Sequence, residues 1–155
     1  MNGGGCWTAL SEAMSAIYWN FRGLGNPCTV KDFQKTILEE DPTLVFIIET
    51  KFIVSEMEGI KSKLDRQQGL VVSSIRQGGG LALLWRSSTK VDVQNFSPHH
   101  IDTIITKEHG YKTWRFTSFY GHSETSKRKE SLRLLEELGK RSSLPWWGTS
   151  MKYYI

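Results

Sequence analysis

Apolar residues recur along the first third of the chain in two different periods. Ser15-Ala-Ile-Tyr-Trp19 reads as a short buried strand. It is left through Asn20-Phe-Arg-Gly-Leu-Gly25, whose two glycines, with Asn26-Pro27 behind them, demand a loop. Thr29-x-x-Asp32 then resembles a capping box, and Val30, Phe33, Ile37 and Leu38 recur at helical spacing. That predicted helix ends before Asp41-Pro42, because a proline disfavours helical geometry in the residue ahead of it. Thr43–Ile48 follows as a nearly continuous β-branched and aromatic run, the pattern of a strand covered on both faces. Strand, helix and strand with short joints make a βαβ unit with parallel strands. Asn20 and Glu49 then fall just past the carboxyl ends of parallel strands, the edge where open α/β sheets collect ligands.

After Glu49 the pattern changes. Ser55-x-x-Glu58 caps a predicted short helix with Met57, Ile60 and Leu64 inward. Runs at 70–75, 80–85, 91–96, 101–106 and 113–119, separated by turn-like clusters such as Arg76-Gln-Gly-Gly79, read as successive antiparallel hairpins. A last helix, about 124–139, is predicted to present Leu132, Leu135 and Leu138 along one stripe. The expected fold class is α/β with mixed sheets and helices packed outside them.

The 155 residues are 39% hydrophobic and 12% aromatic, enough for a packed core. No apolar run approaches the roughly 20 residues of a membrane-spanning helix. Residues 1–13 read as a flexible leader without the features of a secretory signal. Cys6 and Cys28 form neither a disulfide framework nor a metal-ligand spacing, so an intracellular, reduced setting, nuclear or cytoplasmic, is expected. Residues 1–60 hold four basic and eight acidic side chains, and residues 61–155 hold sixteen basic and eight acidic ones. Such a chain suits a cation early and a polyanion late, although scatter over a solvated surface gives the same count.

Each candidate residue has a functional and a plain reading. Glu49 is either a ligand for a hard cation such as Mg²⁺, which keeps several of its waters, or a solvated strand end. Asn20 is a second polar donor beside it or an Asx-type turn residue. Tyr120 extends the period of Trp114, Phe116 and Ser118, and is either a core aromatic or a rim phenol able to donate to a phosphate oxygen. Lys127-Arg128-Lys129 with Arg133, Lys140 and Arg141 suits phosphate contacts, but Glu130, Glu136 and Glu137 equally suit a salt-bridged helix. Gly78-Gly-Gly80 lacks the Gly-Lys-Ser/Thr ending of a P-loop and reads as a hairpin turn. His99, His100 and His109 read as surface residues.

In order, Ile17-Tyr-Trp-Asn20-Phe-Arg-Gly-Leu-Gly25, Leu44-Val-Phe-Ile-Ile-Glu49-Thr-Lys51, Gly79-Gly-Leu-Ala-Leu-Leu-Trp85 and Phe119-Tyr120-Gly-His-Ser-Glu124 resemble the endonuclease/exonuclease/phosphatase superfamily. The resemblance covers about residues 14–147, and its flavour is that of the endonuclease domain of plant LINE-like non-LTR retrotransposons. It implies the deoxyribonuclease-I-like four-layer α/β sandwich and Mg²⁺-dependent hydrolysis of phosphodiesters in nucleic acid. Glu49 would ligate the metal, Asn20 would stand beside it at the metal and phosphate, and Tyr120 would hydrogen-bond the scissile phosphate.

The departures are as informative. The family's Gly-Asp-Phe-Asn element is approached at Ser143-Leu-Pro-Trp-Trp147, but residues 148–155 read as a divergent tail, and no Asp occurs after Asp102. The later Asp-His pair is absent as well, and none of the four histidines is placed to replace it. The expectation is a truncated sandwich with little or no hydrolytic activity, and with apolar strand faces and edges left exposed. Two further readings stay open: a non-catalytic nucleic-acid-binding remnant, and a retroelement-derived reading frame with no selected role.

Overall fold

The expected βαβ unit is present as strand β2 (Met14–Asn20), helix α1 (Pro27–Glu40) and strand β3 (Leu44–Thr50), with β2 and β3 parallel. The computed structural model describes residues 6–11, 14–20, 27–50, 54–64, 66, 68–73, 80–107, 113–119, 127–140 and 146–150. The chain is a mixed α/β protein whose two sheets fall in separate compact units, Met1–Ser87 and Ser88–Ile155. No helix among the described residues is long and apolar enough to cross a membrane.

The first unit adds strand β1 (Cys6–Ser11), helix α2 (Val54–Lys63) and strands β4 (Gln68–Val72) and β5 (Gly80–Trp85). Its sheet runs β1-β2-β3-β5-β4. Residues expected to form a flexible leader therefore supply an edge strand. Cys6-Trp-Thr-Ala-Leu is a short run of residues that suit a pleated strand, and it pairs antiparallel with β2, Trp7 opposite Ile17. Helix α1 begins at Pro27, two residues before the predicted cap at Thr29. Proline suits the first helical turn, since its missing N–H has no partner there in any case. Helix α2 likewise begins at Val54, one residue ahead of Ser55, so neither predicted capping box sits at the cap.

The helices bury one face of this sheet. Ile17, Trp19, Val45, Ile47, Ala82 and Leu84 form a single cluster with Phe33 and Ile37 of α1 and with Met57, Ile60 and Leu64 of the α2 segment. The Phe33 and Trp19 rings lie 5.2 Å apart, centroid to centroid. Leu38 was expected on the same face as Phe33 but is 60% exposed. Five helical steps from Phe33 carry it about 140° around the axis. Along β3 both faces are buried, as the unbroken apolar run implied: Leu44 through Ile48 are all at most 2% exposed. Gly69 of β4 is obligatory, since a Cβ there would lie 2.9 Å from the Leu83 carbonyl oxygen.

Two polar devices hold the amino end of the parallel pair. Ser15 N–H donates to Thr43 Oγ1 at 3.4 Å and Thr43 N–H donates to Ser15 Oγ at 3.3 Å. Beside them, Asp41 closes α1 in the left-handed region (φ 41°), donating its N–H to Ile37 O at 2.9 Å. Its carboxylate receives Arg66 Nη2 at 2.8 Å and pairs with Arg86 Nη2 at 3.2 Å. Arg66 also donates to the Pro42 carbonyl at 2.9 Å. The Arg66 guanidinium holds the Asp41 carboxyl below the usual carboxylate range.

The second unit contains strands β6 (Thr89–Ser97), β7 (His100–Lys107) and β8 (Thr113–Phe119), helix α3 (Arg128–Lys140) and strand β9 (Trp146–Ser150), in sheet order β6-β7-β8-β9. The antiparallel meander is therefore confined to β6–β8. Strand β5 does not pair with β6 but inserts between β3 and β4 in the first sheet. Residues 146–150, partly in the expected divergent tail, form a strand parallel to β8, making β8-α3-β9 a second βαβ unit. The predicted leucine stripe of α3 is also corrected. Leu138 is buried at 1% exposure but Leu132 is 60% exposed, six residues being a poor match to the helical repeat.

The two faces of this second sheet differ in chemistry. Val91, Val93, Phe96, Ile101, Ile105 and Phe116 share one face. Phe96 is out of step with Val91 and Val93 in sequence; a bulge that makes Gln94 an extra residue brings it opposite Ile101. The other face carries Ser97, His100, Asp102, Arg115 and Thr117. Arg115 donates from Nε to Asp102 Oδ1 at 2.9 Å and from Nη2 to Oδ2 at 2.7 Å, and Thr117 Oγ1 donates to Oδ1 at 2.8 Å. The Asp102 carboxylate raises the Arg115 pKa further above its ordinary value. His100 is not a surface residue: it is 3% exposed, its Nδ1 lies 2.7 Å from Ser97 Oγ, and its Nε2 is buried without a hydrogen-bond partner among the described residues.

Replacing Asp102 by Ala leaves a buried guanidinium unpaired and is expected to cost about 3–5 kcal/mol in urea unfolding. Replacing Asp102 and Arg115 together by apolar residues of similar size recovers most of that loss; equal instability of the single and double variants would contradict it. Burial pushes the His100 ring below its ordinary value of 6.5, against the opposing pull of the Asp102 charge. A group lowered in this way contributes its full stability above the unfolded value and loses it as pH falls towards the folded one, because the unfolded chain binds the proton first. The denaturation midpoint is therefore expected to drop between about pH 7.5 and about pH 5, and His100→Asn to flatten that slope. An identical slope in the variant would refute the assignment.

Candidate functional site

The carboxyl ends of β2 and β3 meet at one edge of the first sheet because the strands are parallel and in register, Ala16 opposite Leu44 and Asn20 opposite Ile48. Asn20 is the last residue of β2 and is half-buried. Glu49 is the residue after Ile48 and lies within β3 rather than past its end. Strand spacing and rise place the two Cα atoms about 6 Å apart. The sequence thus brought two of its three candidate residues to neighbouring positions. The third, Tyr120, lies outside the described residues, one position after the end of β8 at Phe119.

A third strand reaches the same edge. Strand β5 is antiparallel to β3 and begins there with Gly80, which pairs with Thr50. The register shifts by one between Ile48 and Thr50: Ile48 is opposite Leu81 and Thr50 opposite Gly80, so Glu49 is the extra residue of a β-bulge. Bulges are over-represented next to active sites, where they interrupt pairing or re-aim a side chain. Gly80 was read both as the end of the glycine turn and as the start of the 80–85 strand, but its place opposite Thr50, next to the candidate acid, was missed. A signal was available in retrospect, since a glycine at the start of an otherwise bulky strand marks a bulge or close backbone approach.

The residue types at this edge suit a hard cation with oxygen ligands, such as Mg²⁺, Ca²⁺ or Mn²⁺. A carboxylate and an amide oxygen are hard ligands, and Mg²⁺ is bound through one or two carboxylates with water filling its remaining positions. No group of three or more His, Cys, Asp and Glu able to hold a metal occurs among the described residues. Along α3, Lys129, Arg133 and Lys140 are exposed together with Glu130, Glu136 and Glu137, and Lys127 is exposed just ahead of it. That helix is a mixed charged surface.

The sequence matches no protein-family model and no curated protein. Among solved structures, the chain resembles a humanized D. rerio TDP2, with a TM-score of 0.64 and 16% identity over 83% of this chain and 57% of that one. It resembles the human nocturnin catalytic domain with bound sulfate anion, with a TM-score of 0.63 and 14% identity over 92% of this chain and 65% of that one. An endonuclease/exonuclease/phosphatase family protein from Bacteroides thetaiotaomicron matches with a TM-score of 0.56 and 14% identity over 76% of this chain and 51% of that one. The chain thus spans between half and two thirds of the length of these structures. At such identities the likeness is one of architecture, and it shows that this chain has the deoxyribonuclease-I-like α/β fold.

Proposed function

We propose that the chain carries the metal- and phosphate-binding edge of a Mg²⁺-dependent phosphodiester hydrolase of the endonuclease/exonuclease/phosphatase superfamily, acting on nucleic acid. The observation that carries this reading is the adjacency of Asn20 and Glu49 at the carboxyl ends of two parallel strands. Glu49 would ligate the ion and Asn20 would orient it and the phosphate. Tyr120 would donate its phenol proton to a phosphate oxygen. The bound ion would supply Lewis-acid neutralisation of charge on the phosphate and leaving oxygen.

Nucleic acid as partner is supported by the sixteen basic against eight acidic residues of the later part of the chain, and by a fold neighbour, D. rerio TDP2, described in complex with a single strand DNA product. The motif order within residues 14–147 supports the finer reading of a relative of plant LINE-like endonuclease domains. Within these 155 residues no Asp follows Asp102, and the family's Gly-Asp-Phe-Asn and Asp-His elements have no counterpart. The isolated chain is therefore expected to bind metal and phosphate more readily than it hydrolyses. Losing acid–base participation typically costs about 10²–10⁴-fold in rate. A retained nucleic-acid-binding role is the second reading, and the excess of basic residues after residue 60 favours it.

Titration calorimetry with Mg²⁺ tests the site. Glu49→Ala is expected to weaken binding at least about tenfold at unchanged secondary structure. Equal affinities of variant and wild type would refute the assignment of Glu49. In the same preparations, plasmid nicking should be slight in the wild type and absent in Glu49→Ala; robust nicking by the wild type would overturn the expectation of weak hydrolysis. Gel-shift affinity for DNA should fall steeply with added salt, since phosphate contacts release counterions, and a salt-independent affinity would exclude them.

A further inference from the structure

We infer that the β-bulge at position 49, flanked by the Thr50–Gly80 pair, is the positioning device that lets Asn20 and Glu49 serve one cation. The inference rests on the cation-site reading of these two residues and adds what makes it geometrically possible. In β2, Asn20 shares the face of Ala16 and Tyr18, and its register partner is Ile48. In β3, side-chain positions alternate, so Ile48 shares the face of Leu44 and Phe46, while Val45 and Ile47 occupy the other. A regular ladder would continue that alternation and assign position 49 to the face of Val45 and Ile47. That face is the apolar cluster closed by Phe33, Ile37, Met57 and Ile60, where an unpaired carboxylate is costly. It is also the face opposite Asn20. Regular pairing therefore separates the amide from the acid by the thickness of the sheet.

The ladder is regular from Leu44 opposite Trp85 through Ile48 opposite Leu81, and its one shift falls at the acid. The extra residue lies on β3 and not on β5, so the partner strand continues undisturbed with Gly80 opposite Thr50. Glycine is the residue that tolerates the close and irregular backbone approach of a bulged partner. Gly80 and Thr50, which flank the interruption, are thus positioning residues that act through Glu49.

Two variants restore a regular ladder from opposite sides while keeping both Asn20 and Glu49. Deleting Thr50 removes the extra residue from β3. Inserting an alanine between Gly80 and Leu81 supplies β5 with a matching one. Each full-length variant, the wild type and Glu49→Gln are titrated with Mn²⁺, which shares the oxygen-ligand preference of Mg²⁺, and free ion is read by electron paramagnetic resonance. Far-UV circular dichroism and the thermal midpoint report the fold. The inference predicts that at least one ladder variant folds, and that each folded one loses about tenfold or more in Mn²⁺ affinity, as Glu49→Gln does. A folded ladder variant that binds as tightly as wild type while Glu49→Gln does not would overturn the inference and leave the cation site standing. If Glu49→Gln itself binds as wild type, the cation site fails and the inference with it. If neither ladder variant folds, the bulge is a folding requirement and not a positioning device, which also overturns the inference.

Discussion

The parallel register of β2 and β3 is the constraint on which the rest depends. Parallel strands cannot be joined by a tight hairpin, so a helix must cross between them, and their carboxyl ends then emerge at the same edge. Here α1 makes the crossing and is anchored by Phe33 and Ile37 on the sheet. The register is held from the far end. The reciprocal Ser15–Thr43 hydrogen bonds clasp the amino ends of the two strands, and the Asp41 carboxylate gathers Arg66 and Arg86 at the turn where α1 gives way to β3. A slip of one residue would exchange the two faces of β3 and move Asn20 away from Ile48. The polar clasp at one end of the strands is therefore what sets the pairing at the other.

The same structural element, a bulge, is used in different settings in the two sheets. In β6 the sequence Val91-Asp-Val-Gln-Asn-Phe96 is out of phase by one residue, and the bulge at Gln94 restores Phe96 to the face of Val91, Val93 and Ile101. In β3 the apolar run fills both faces, and the bulge at Glu49 lies just beyond its end. The first repairs a pattern for packing. The second falls where the apolar run gives way to an acid. The sheets also differ in how they are stabilised. The first is apolar on both faces of β3 and β5, whereas the second buries an ion pair and a histidine on one face. Burying charge adds less stability than an apolar face of equal size, but it is unforgiving of mispairing.

Much of the fold was legible in the sequence because the relevant signals are local. The β2-α1-β3 unit follows from Trp19, the Gly23–Gly25 loop residues, the Phe33 and Ile37 spacing and the Asp41-Pro42 stop. Strands β5 and β8 fall at the predicted residues. What was missed depended on partners far away in the chain. Cys6–Ser11, read as part of a leader, becomes a strand by pairing with β2. His100 looked like a loop residue because it follows Ser97-Pro-His, yet it opens β7 and is covered once β6 and β8 flank it. Leu38 and Leu132 are apolar residues at positions their helices turn outward. Of the proposed site, the nearness of Asn20 and Glu49 was legible from the βαβ pattern. The bulge was not, since it is a property of the ladder between β3 and β5 and not of either strand alone.

The most direct measurement is the site of paramagnetic broadening when Mn²⁺ is added to the isotopically labelled chain. Broadening of backbone amides centred on residues 20 and 48–50, with Gly80 next and removed by excess Mg²⁺, is the result expected of an ion held at the joint carboxyl end of β2 and β3. Broadening centred elsewhere, or spread evenly over acidic residues such as those of α3 and lost in moderate salt, would contradict it.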